Sequence, residues 1–488
     1  MSGSNMTSTK LFLAIDQGGH SSRALVFDDT GALVAEGHET IAVIHPHDGW
    51  VEHHPQEVLR STRHAIDQAV AALGERHVHI VAAGLATQRS SIVCWDRETG
   101  AALSPVISWQ DRRAAQWVEQ FHKHDEAIHH ATGLFVTAHY GVSKLHWCME
   151  HLTAVREAHQ HGRLAWGPMA SFMLFHLLEE QPLWVDPANA SRTLLWNFHS
   201  LDWDEELLDL FGVPGEPLPR CVPTCYEFGH LSLQGRKVPL TVMTGDQSAA
   251  AYAFGAPHHG TAYVNIGTGA FVQRVCGGNI DYAPRLLTGV VLNCGETLEH
   301  VLEGTVNGAG SALVEVERQL GIDADHAEQN LAQWLTTTAE LPLFMNGVSG
   351  LGSPYWVPRF ESRFIGAGTP AEKLAAVAES IVFLIQVNLD EMEILFVAPQ
   401  RIVASGGLAR LDGICQRLAD ISSLPVYRPA ECEATARGTA FLLAGRPLHW
   451  PEPGTGTLFQ PQANDALRQR YQRWRLAMDK EIKTNRRG

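Results

Sequence analysis

One pattern occurs twice in this chain. An apolar run of strand length, LFLAI (11–15), leads into the polar, glycine-bearing turn DQGGHSS (16–22) and then into a second strand-like run, RALVFDD (23–29). Residues 260–278, GTAYVNIGTGAFVQRVCGG, follow the same plan with Gly267-Thr268-Gly269 at the tip. Repetition of this kind restricts the fold to two α/β domains that start alike. Each sets a turn of backbone N–H groups and hydroxyls at the end of a buried strand, where an anion or its metal can be lined. Length agrees, because 488 residues exceed what one hydrophobic core organises. The division is expected near residue 253, giving domains over 1–253 and 254–488.

Composition narrows the function. Hydrophobic residues at 45% and charged residues at 18% describe an ordinary globular chain. A net charge of -16 argues against nucleic acid as a partner, although a local phosphate site needs only backbone N–H groups and one or two cations. No segment approaches the ~18 uninterrupted apolar residues of a membrane span, and Met1–Lys10 lacks the apolar core of a signal peptide, so no membrane is expected as a partner. The only close cysteine pair, Cys221 and Cys225, has no second pair to complete a zinc site, and a reduced, cytoplasmic protein is expected. No HExxH metal site, Walker A loop or GxSxG nucleophile turn is present.

The stretch VPLTVMTGDQSAAAYAFG (238–255) reads as a strand over Val238–Met243, a turn at Thr244-Gly245 and an Ala-rich helix from Ser248 to Phe254. Asp246 sits at that junction. A carboxylate there faces the crevice where α/β sheets bind ligands and can take a proton from a substrate hydroxyl; it can equally cap the helix, a role worth about 1 kcal/mol. Upstream, three antiparallel strands precede a helix that starts at Pro55, and strands Ile80–Ala86 and Ile92–Trp95 flank Thr87-Gln88-Arg89-Ser90-Ser91. PVISWQDRR (105–113) brings Arg89, Trp109 and Asp111 into consideration for one cavity, each also readable as a solvated or core side chain. Residues 130–235 read as excursions from the sheet. Downstream come a glycine-rich helix start (307–316), a helix from Ala371 to about Leu395, and a strand, Ile402–Ala404, ending in Ser405-Gly406-Gly407. A helix over Leu408–Ile421, a strand at Leu424–Arg428, a helix over Ala434–Ala444 and a C-terminal helix with a frayed tail complete the chain.

Taken in order, AIDQG with SSRALVFD, GWVEHHP, TQR, WDRETG, WQDRR, KLHW, NASRTLLWN, LDWD, GDQSAA, GTGAF, GLGSPYW, AESI and SGGLA resemble the FGGY carbohydrate kinases, most of all their glycerol-kinase branch. The resemblance implies the duplicated ribonuclease-H-like fold shared with actin and heat-shock chaperones, with an interdomain cleft for ATP, Mg²⁺ and a small polyol or sugar. It implies a cytoplasmic phosphotransferase acting on an alcohol group, as a homodimer or homotetramer. Position by position, it makes Asp246 the general base and, with Asp16, a holder of Mg²⁺. It puts Gly18, His20, Arg23, Gly267, Thr268, Gly310, Gly406 and Gly407 around the nucleotide, and Arg89, Ser90, Trp109, His139, Asp246, Gln247 and Phe271 around the polyol.

The pattern breaks in the same places that carry the chemistry. The branch reads NQRE where this chain has Thr87-Gln88-Arg89-Ser90, and a Tyr where it has His139. Losing a charged acceptor and a phenol from a buried polar site usually costs the original ligand a few kcal/mol. A different, larger polyol or ketose is therefore expected. In the first turn, Gly19 and His20 replace two threonines, and a pH dependence through His20 is expected. Two alternatives stay open: a true glycerol kinase with a repacked pocket, and a catalytically weak sugar or nucleotide sensor. A dinucleotide-dependent dehydrogenase fits poorly, because GTGAFV lacks the last glycine of GxGxxG.

Overall fold

The computed structural model describes residues 10–278, 282–323, 330–335, 340–430, 433–452 and 454–485. The chain divides into two compact units. The first comprises Met1–Pro257, Gly289–His300 and Cys432–Pro453; the second comprises His258–Thr288, Val301–Glu431 and Gly454–Gly488.

In the first unit a six-stranded sheet runs in the order Cys225–Leu233, Arg236–Gly245, Ile80–Thr87, Leu11–Gln17, Ser21–Asp28, Leu33–Thr40. The last three form the antiparallel meander, while Leu11–Gln17, Ile80–Thr87 and Arg236–Gly245 are mutually parallel neighbours. A parallel strand is covered on both faces, which is why LFLAI is a continuous apolar run and not an alternating one. Leu11, Leu13, Ile15, Ala83 and Leu85 join a core with the helix Pro55–Leu73, whose Val58, Leu59, Ile66 and Val70 form its buried stripe. Strand alternation turns Gly84 to the opposite face, where a Cβ would lie 2.7 Å from Cγ2 of Thr439 on the helix Ala434–Leu443. That helix also meets the helix Asp246–Ala250 backbone to backbone: a Cβ on Gly438 would stand 1.8 Å from the carbonyl oxygen of Ala249. Arg437 donates to the carbonyls of Ala253, Gly31 and Pro451, fastening the same late segment to the first unit. A smaller four-stranded sheet, Glu52–His53, Val106–Ile107, Ile92–Asp96 and Leu164–Pro168, belongs to this unit too.

The second unit repeats the arrangement. Its sheet contains, in order, Thr297–Val306, Ala270–Cys276, Thr261–Ile266, Arg401–Ser405, Val426–Arg428 and Thr457–Phe459. Thr261–Ile266 pairs antiparallel with Ala270–Cys276 and parallel with Arg401–Ser405, which is parallel in turn to Val426–Arg428. From Ala270–Cys276 to Thr457–Phe459 the order and directions match those of the first sheet from Ser21–Asp28 to Cys225–Leu233. The helix Pro370–Leu395 is buried through most of its length and starts in a capping box between Thr369 and Glu372 with Pro370 in its first turn.

The local readings need three corrections. Thr244 and Gly245 continue the strand, and the helix spans Asp246–Ala250, not Ser248–Phe254. It stops early because the next amides bond three residues back, Tyr252 N–H to Ala249 and Ala253 N–H to Ala250, tightening the backbone out of α geometry. The helix after Gly407 is a short 3₁₀ turn, Gly407–Arg410, followed by Asp412–Ser422. The expectation of a fully reduced protein is also overturned: Cys225 and Cys294, 69 residues apart, are disulfide-bonded within the first unit, whereas Cys221 is free. No described helix is long and apolar enough to cross a membrane.

Candidate active site

Register brings the first unit's polar residues to one end of its sheet. Gln17 pairs with Thr87, and Thr87 with Gly245, across three parallel strands, so the residues that follow emerge side by side. Asp16, Arg89, Asp246 and Gln247 share that end. Arg89 donates from Nη2 to Oε1 of Gln247, and its Nε lies 4.0 Å from Oδ1 of Asp246. The Arg89 side chain is 9% exposed and that of Asp246 30%, so the carboxylate is the more accessible of the two. Gly245 is required beneath them: a Cβ there would stand 2.4 Å from Cδ of Arg89.

Asp246 is not the helix cap. Gly245 occupies the cap position in an extended conformation, and Asp246 is the first helical residue, its Oδ1 accepting the N–H of Gln247. Asp16 faces Arg23 across the hairpin. Burial first, then the charge of Asp246, push the Asp16 carboxyl up to about 7, against the pull of Arg23. Two carboxylates that repel in this way form a hard, oxygen-donor pair suited to a divalent cation.

The glycine turn of the first hairpin is held from below by a residue the sequence reading passed over. Gln88 donates to the carbonyl of Gly18, as does Gln17, and accepts from Ser91 Oγ, whose oxygen takes the N–H of Trp109. Gly18 N–H is bound to Ser21, while Gly19 has room around it and His20 is exposed. Arg23, expected at the phosphates, is ion-paired with Glu433. Glu433 carried no motif signal of its own; it precedes ATARGTAFLL and comes near only because that helix returns to the first unit.

Ser90 and His139 lie in this unit as well. Ser90 adopts a left-handed φ of 63° and is 1% exposed, and its hydroxyl has no hydrogen-bond partner among the described residues. Strained, buried and unpaired polar groups gather at functional sites. The rings of Trp109 and His139 stand 5.4 Å apart. Burial, then the cations Lys144, Arg112, Arg192 and Arg89, hold the His139 imidazole well below its ordinary range, so it is neutral. Lys144, 1% exposed, donates to the carbonyls of Ala138, His139 and Tyr140 and fixes that loop; KLHW was its only sequence signal. Asp111 does not belong with Arg89 and Trp109. Its carboxylate is consumed by Val51 N–H and Arg113, which also pairs with Glu52 and packs over Trp50 and Trp147.

In the second unit the glycine turns form their own group. Gly310 N–H and Ala309 N–H bond to the carbonyls of Gly267 and Thr268, seating the start of the helix Gly310–Leu320 on the hairpin tip. A Cβ on Gly310 would lie 2.8 Å from the Gly267 oxygen. Gly406, at φ 92°, packs against Ile266, with a hypothetical Cβ 2.6 Å from its carbonyl oxygen; Gly407 beside it is open. Thr268 is exposed, and Phe271 is half-buried in the strand Ala270–Cys276. The amides of Gly267, Ala309, Gly310 and Ser311 are bonded within the group, so what it presents outward is the exposed Thr268 and the open Gly407.

Comparison with known proteins matches two family models: the N-terminal domain of the FGGY family of carbohydrate kinases over residues 11–253, and its C-terminal domain over 262–445. The chain belongs to the FGGY family of carbohydrate kinases. A glycerol kinase of Geobacter sp. (strain M21) is 33% identical over 88% of this chain and 89% of its own length. One from Ectopseudomonas mendocina is 32% identical over 96% and 98%. The crystal structure of Plasmodium falciparum glycerol kinase with ADP superposes with a TM-score of 0.87 at 22% identity, covering 97% of this chain and 98% of that one. The paired sheets are thus the duplicated ribonuclease-H-like fold, and this FGGY member is a phosphotransferase with an alcohol group as acceptor.

Proposed function

We propose that the protein transfers the terminal phosphoryl group of ATP to a hydroxyl of a small polyol or sugar, with Asp246 as general base. The observation that carries this reading is the parallel register that delivers Asp16, Arg89 and Asp246 to one sheet end, with the accessible carboxylate beside a buried guanidinium. Asp246 takes the proton of the acceptor hydroxyl as the new O–P bond forms and the bond to the leaving phosphate breaks, releasing ADP. Arg89 and Gln247 orient that hydroxyl, and Trp109 offers an aromatic face to the carbon chain. Phosphoryl transfer asks for positioning and charge neutralisation more than covalent chemistry, and this donor set supplies both.

Asp16 and Asp246 are the residues that would hold Mg²⁺, whose oxygen preference fits a carboxylate pair shared with substrate phosphates. Bound there, the ion neutralises phosphate charge. Gly267, Thr268, Gly310, Gly406 and Gly407 are assigned to the nucleotide, and Gly18, His20 and Arg23 to its phosphates. Phe271 remains a candidate for the polyol. The family domains are taken as 1–253 on the substrate side and 254–488 on the nucleotide side. We further propose a cytoplasmic homodimer or homotetramer.

Ser90 and His139 argue for an acceptor other than glycerol, since one is a neutral hydroxyl and the other a neutral imidazole. Identity of 32–33% to glycerol kinases supports the second reading, glycerol itself. An ADP-release screen over polyols and ketoses separates the two. Asp246→Asn is expected to lower kcat by about 10² to 10⁴ with ligand binding retained. Wild-type turnover in that variant would refute the assignment.

A further inference from the structure

The hairpin turn Gly289–His300 belongs to the first unit and is fastened beside the segment that carries Asp246. Its Val290 lies in a buried cluster with Val185, Ala190, Trp196 and Phe198, and its Leu298 packs against that cluster. Two polar contacts flank the base. On the strand side, the Thr224 carbonyl accepts the N–H of Met243 at 3.0 Å and its Oγ1 accepts the N–H of Asn293 at 3.1 Å. One buried residue thus ties the base-bearing strand to the hairpin. On the helix side, Tyr252 donates its hydroxyl to Glu299. Met243 and Tyr252 bracket the strand end and the short helix Asp246–Ala250. A covalent bond closes the arrangement: Cys225, next to Thr224 and opposite Val242 in the ladder, is joined to Cys294, next to Asn293.

The bond is placed to be made and broken. Cys225 and Cys294 are half-buried, and their neighbours Tyr226, Glu227, Gly295 and Glu296 are exposed, so the bond lies at the surface within reach of a small thiol. The free cysteines among the described residues do not compete for it. Cys94, Cys148, Cys276 and Cys415 are buried, and burial pushes the Cys221 thiol up, away from the thiolate that exchange requires. In the cytoplasm proposed above, a disulfide is characteristically transient and serves catalysis or sensing. Neither cysteine is among the residues assigned to the reaction, which leaves sensing.

We infer that Cys225 and Cys294 form a redox site that sets how firmly the Asp246 segment is held, the disulfide form being the more active. Reduction by a dithiol delivers two electrons and two protons to the pair. One reductant thiolate attacks a sulfur of the bond, and the other cysteine leaves as a thiolate and is protonated. The second reductant thiol then closes its own disulfide and releases the first cysteine as a thiol. A glutathione-type disulfide reverses the change and departs as two thiols. Once reduced, the hairpin keeps its apolar seat and its bonds to Thr224 and Tyr252 but loses the covalent clamp, and the bracketed segment gains freedom. The inference rests on the kinase reading for its effect on rate, though not for its effect on backbone mobility.

The test compares the full-length wild type oxidised with glutathione disulfide and reduced with dithiothreitol, thiol titration confirming each state. Cys225→Ser, Cys294→Ser and Tyr252→Phe are measured beside it. ADP release is followed with the best acceptor from the polyol and ketose screen, and amide hydrogen exchange over residues 243–252. Reduction is expected to lower kcat about tenfold or more with KM little changed, inside the roughly 10²-fold that a 1 Å misplacement can cost. It should also speed exchange over 243–252, and reoxidation should reverse both effects. The serine variants should match the reduced wild type and ignore redox conditions. Tyr252→Phe should narrow the difference between the two states, because the Glu299 bond is one of the two polar contacts that reach the segment. Equal kcat in oxidised and reduced wild type would overturn the inference while leaving the kinase reading intact. Redox-dependent exchange in a protein that turns over no acceptor would support the redox site and overturn the kinase reading.

Discussion

Substituting Gly245 by alanine tests the geometry of the candidate site from outside the chemistry. The glycine backbone, at φ -83° and ψ 151°, suits any residue, so no backbone strain is introduced. The added methyl instead meets the Arg89 stem, 2.4 Å from Cδ and 2.6 Å from Cγ. Both atoms are in the middle of the side chain, so the guanidinium cannot stay on Gln247 while the stem yields. Losing one charge-assisted hydrogen bond is worth about 1.5–3 kcal/mol, which converts to roughly 10- to 150-fold in kcat/KM. Overpacking adds up to about 1–3 kcal/mol of destabilisation, or a few degrees in Tm for a unit of this size. The assay is steady-state ADP release from wild type, Gly245→Ala, Arg89→Ala and the double variant. If the methyl acts only by displacing Arg89, the double variant loses no more than Arg89→Ala does. Gly245→Ala within twofold of wild type, or fully additive losses, would refute the reasoning.

Three other outcomes are expected. The Asp16 carboxyl, raised to about 7 in the folded state against about 3.9 unfolded, binds more protons when native, so metal-free stability falls as pH rises between those values. Asp16→Asn removes that loss, and its Tm advantage over wild type should grow from pH 5 to pH 8 without Mg²⁺; an advantage independent of pH would contradict the assignment. Gly406→Ala combines a left-handed φ of 92° with a 2.6 Å approach to Ile266, and should destabilise the second unit by about 1–3 kcal/mol, read from denaturant melts. Reduction, or Cys225→Ser, releases a crosslink spanning 69 residues, for which chain entropy gives about 4 kcal/mol; a melt insensitive to reductant would show that the bond is absent in solution or without weight.

Much of the architecture could be read before any coordinates. The repeated strand, turn and strand at 11–29 and 260–278 announced two sheets alike, because continuous apolar runs and glycine turns are local signals. Asp246 was placed correctly at a strand end, but its helix was started two residues late and ended four residues late: alanine content says nothing about where amide bonds shift from four residues back to three. Asp111 looked as chemical as Arg89, and only the contact of its carboxylate with Arg113 and Val51 removes it. Lys144 turns back onto the carbonyls just before its own helix, but Gln88 and Glu433 act through partners far away in sequence. The disulfide between Cys225 and Cys294 was invisible for the same reason: spacing pairs Cys225 with Cys221, whereas the fold pairs it with a hairpin tip.

The helix Ala434–Leu443 has a consequence for how the protein comes into being. Its Gly438 meets the Ala249 carbonyl, its Thr439 covers Gly84, and its Arg437 clasps Gly31 and Ala253, so the floor beneath Asp246 is laid by residues near the end of the chain. During synthesis the ribosome releases the strands of the first unit long before this helix exists. Until then the face around Gly84 stays bare, and the short helix bearing Asp246 lacks its close backbone contact with Gly438, keeping the Arg89–Gln247 bond and its neighbouring strands. The first unit is completed only after most of the second has been made, and a nascent or truncated chain ending before residue 434 should hold its sheet without the full support of its base.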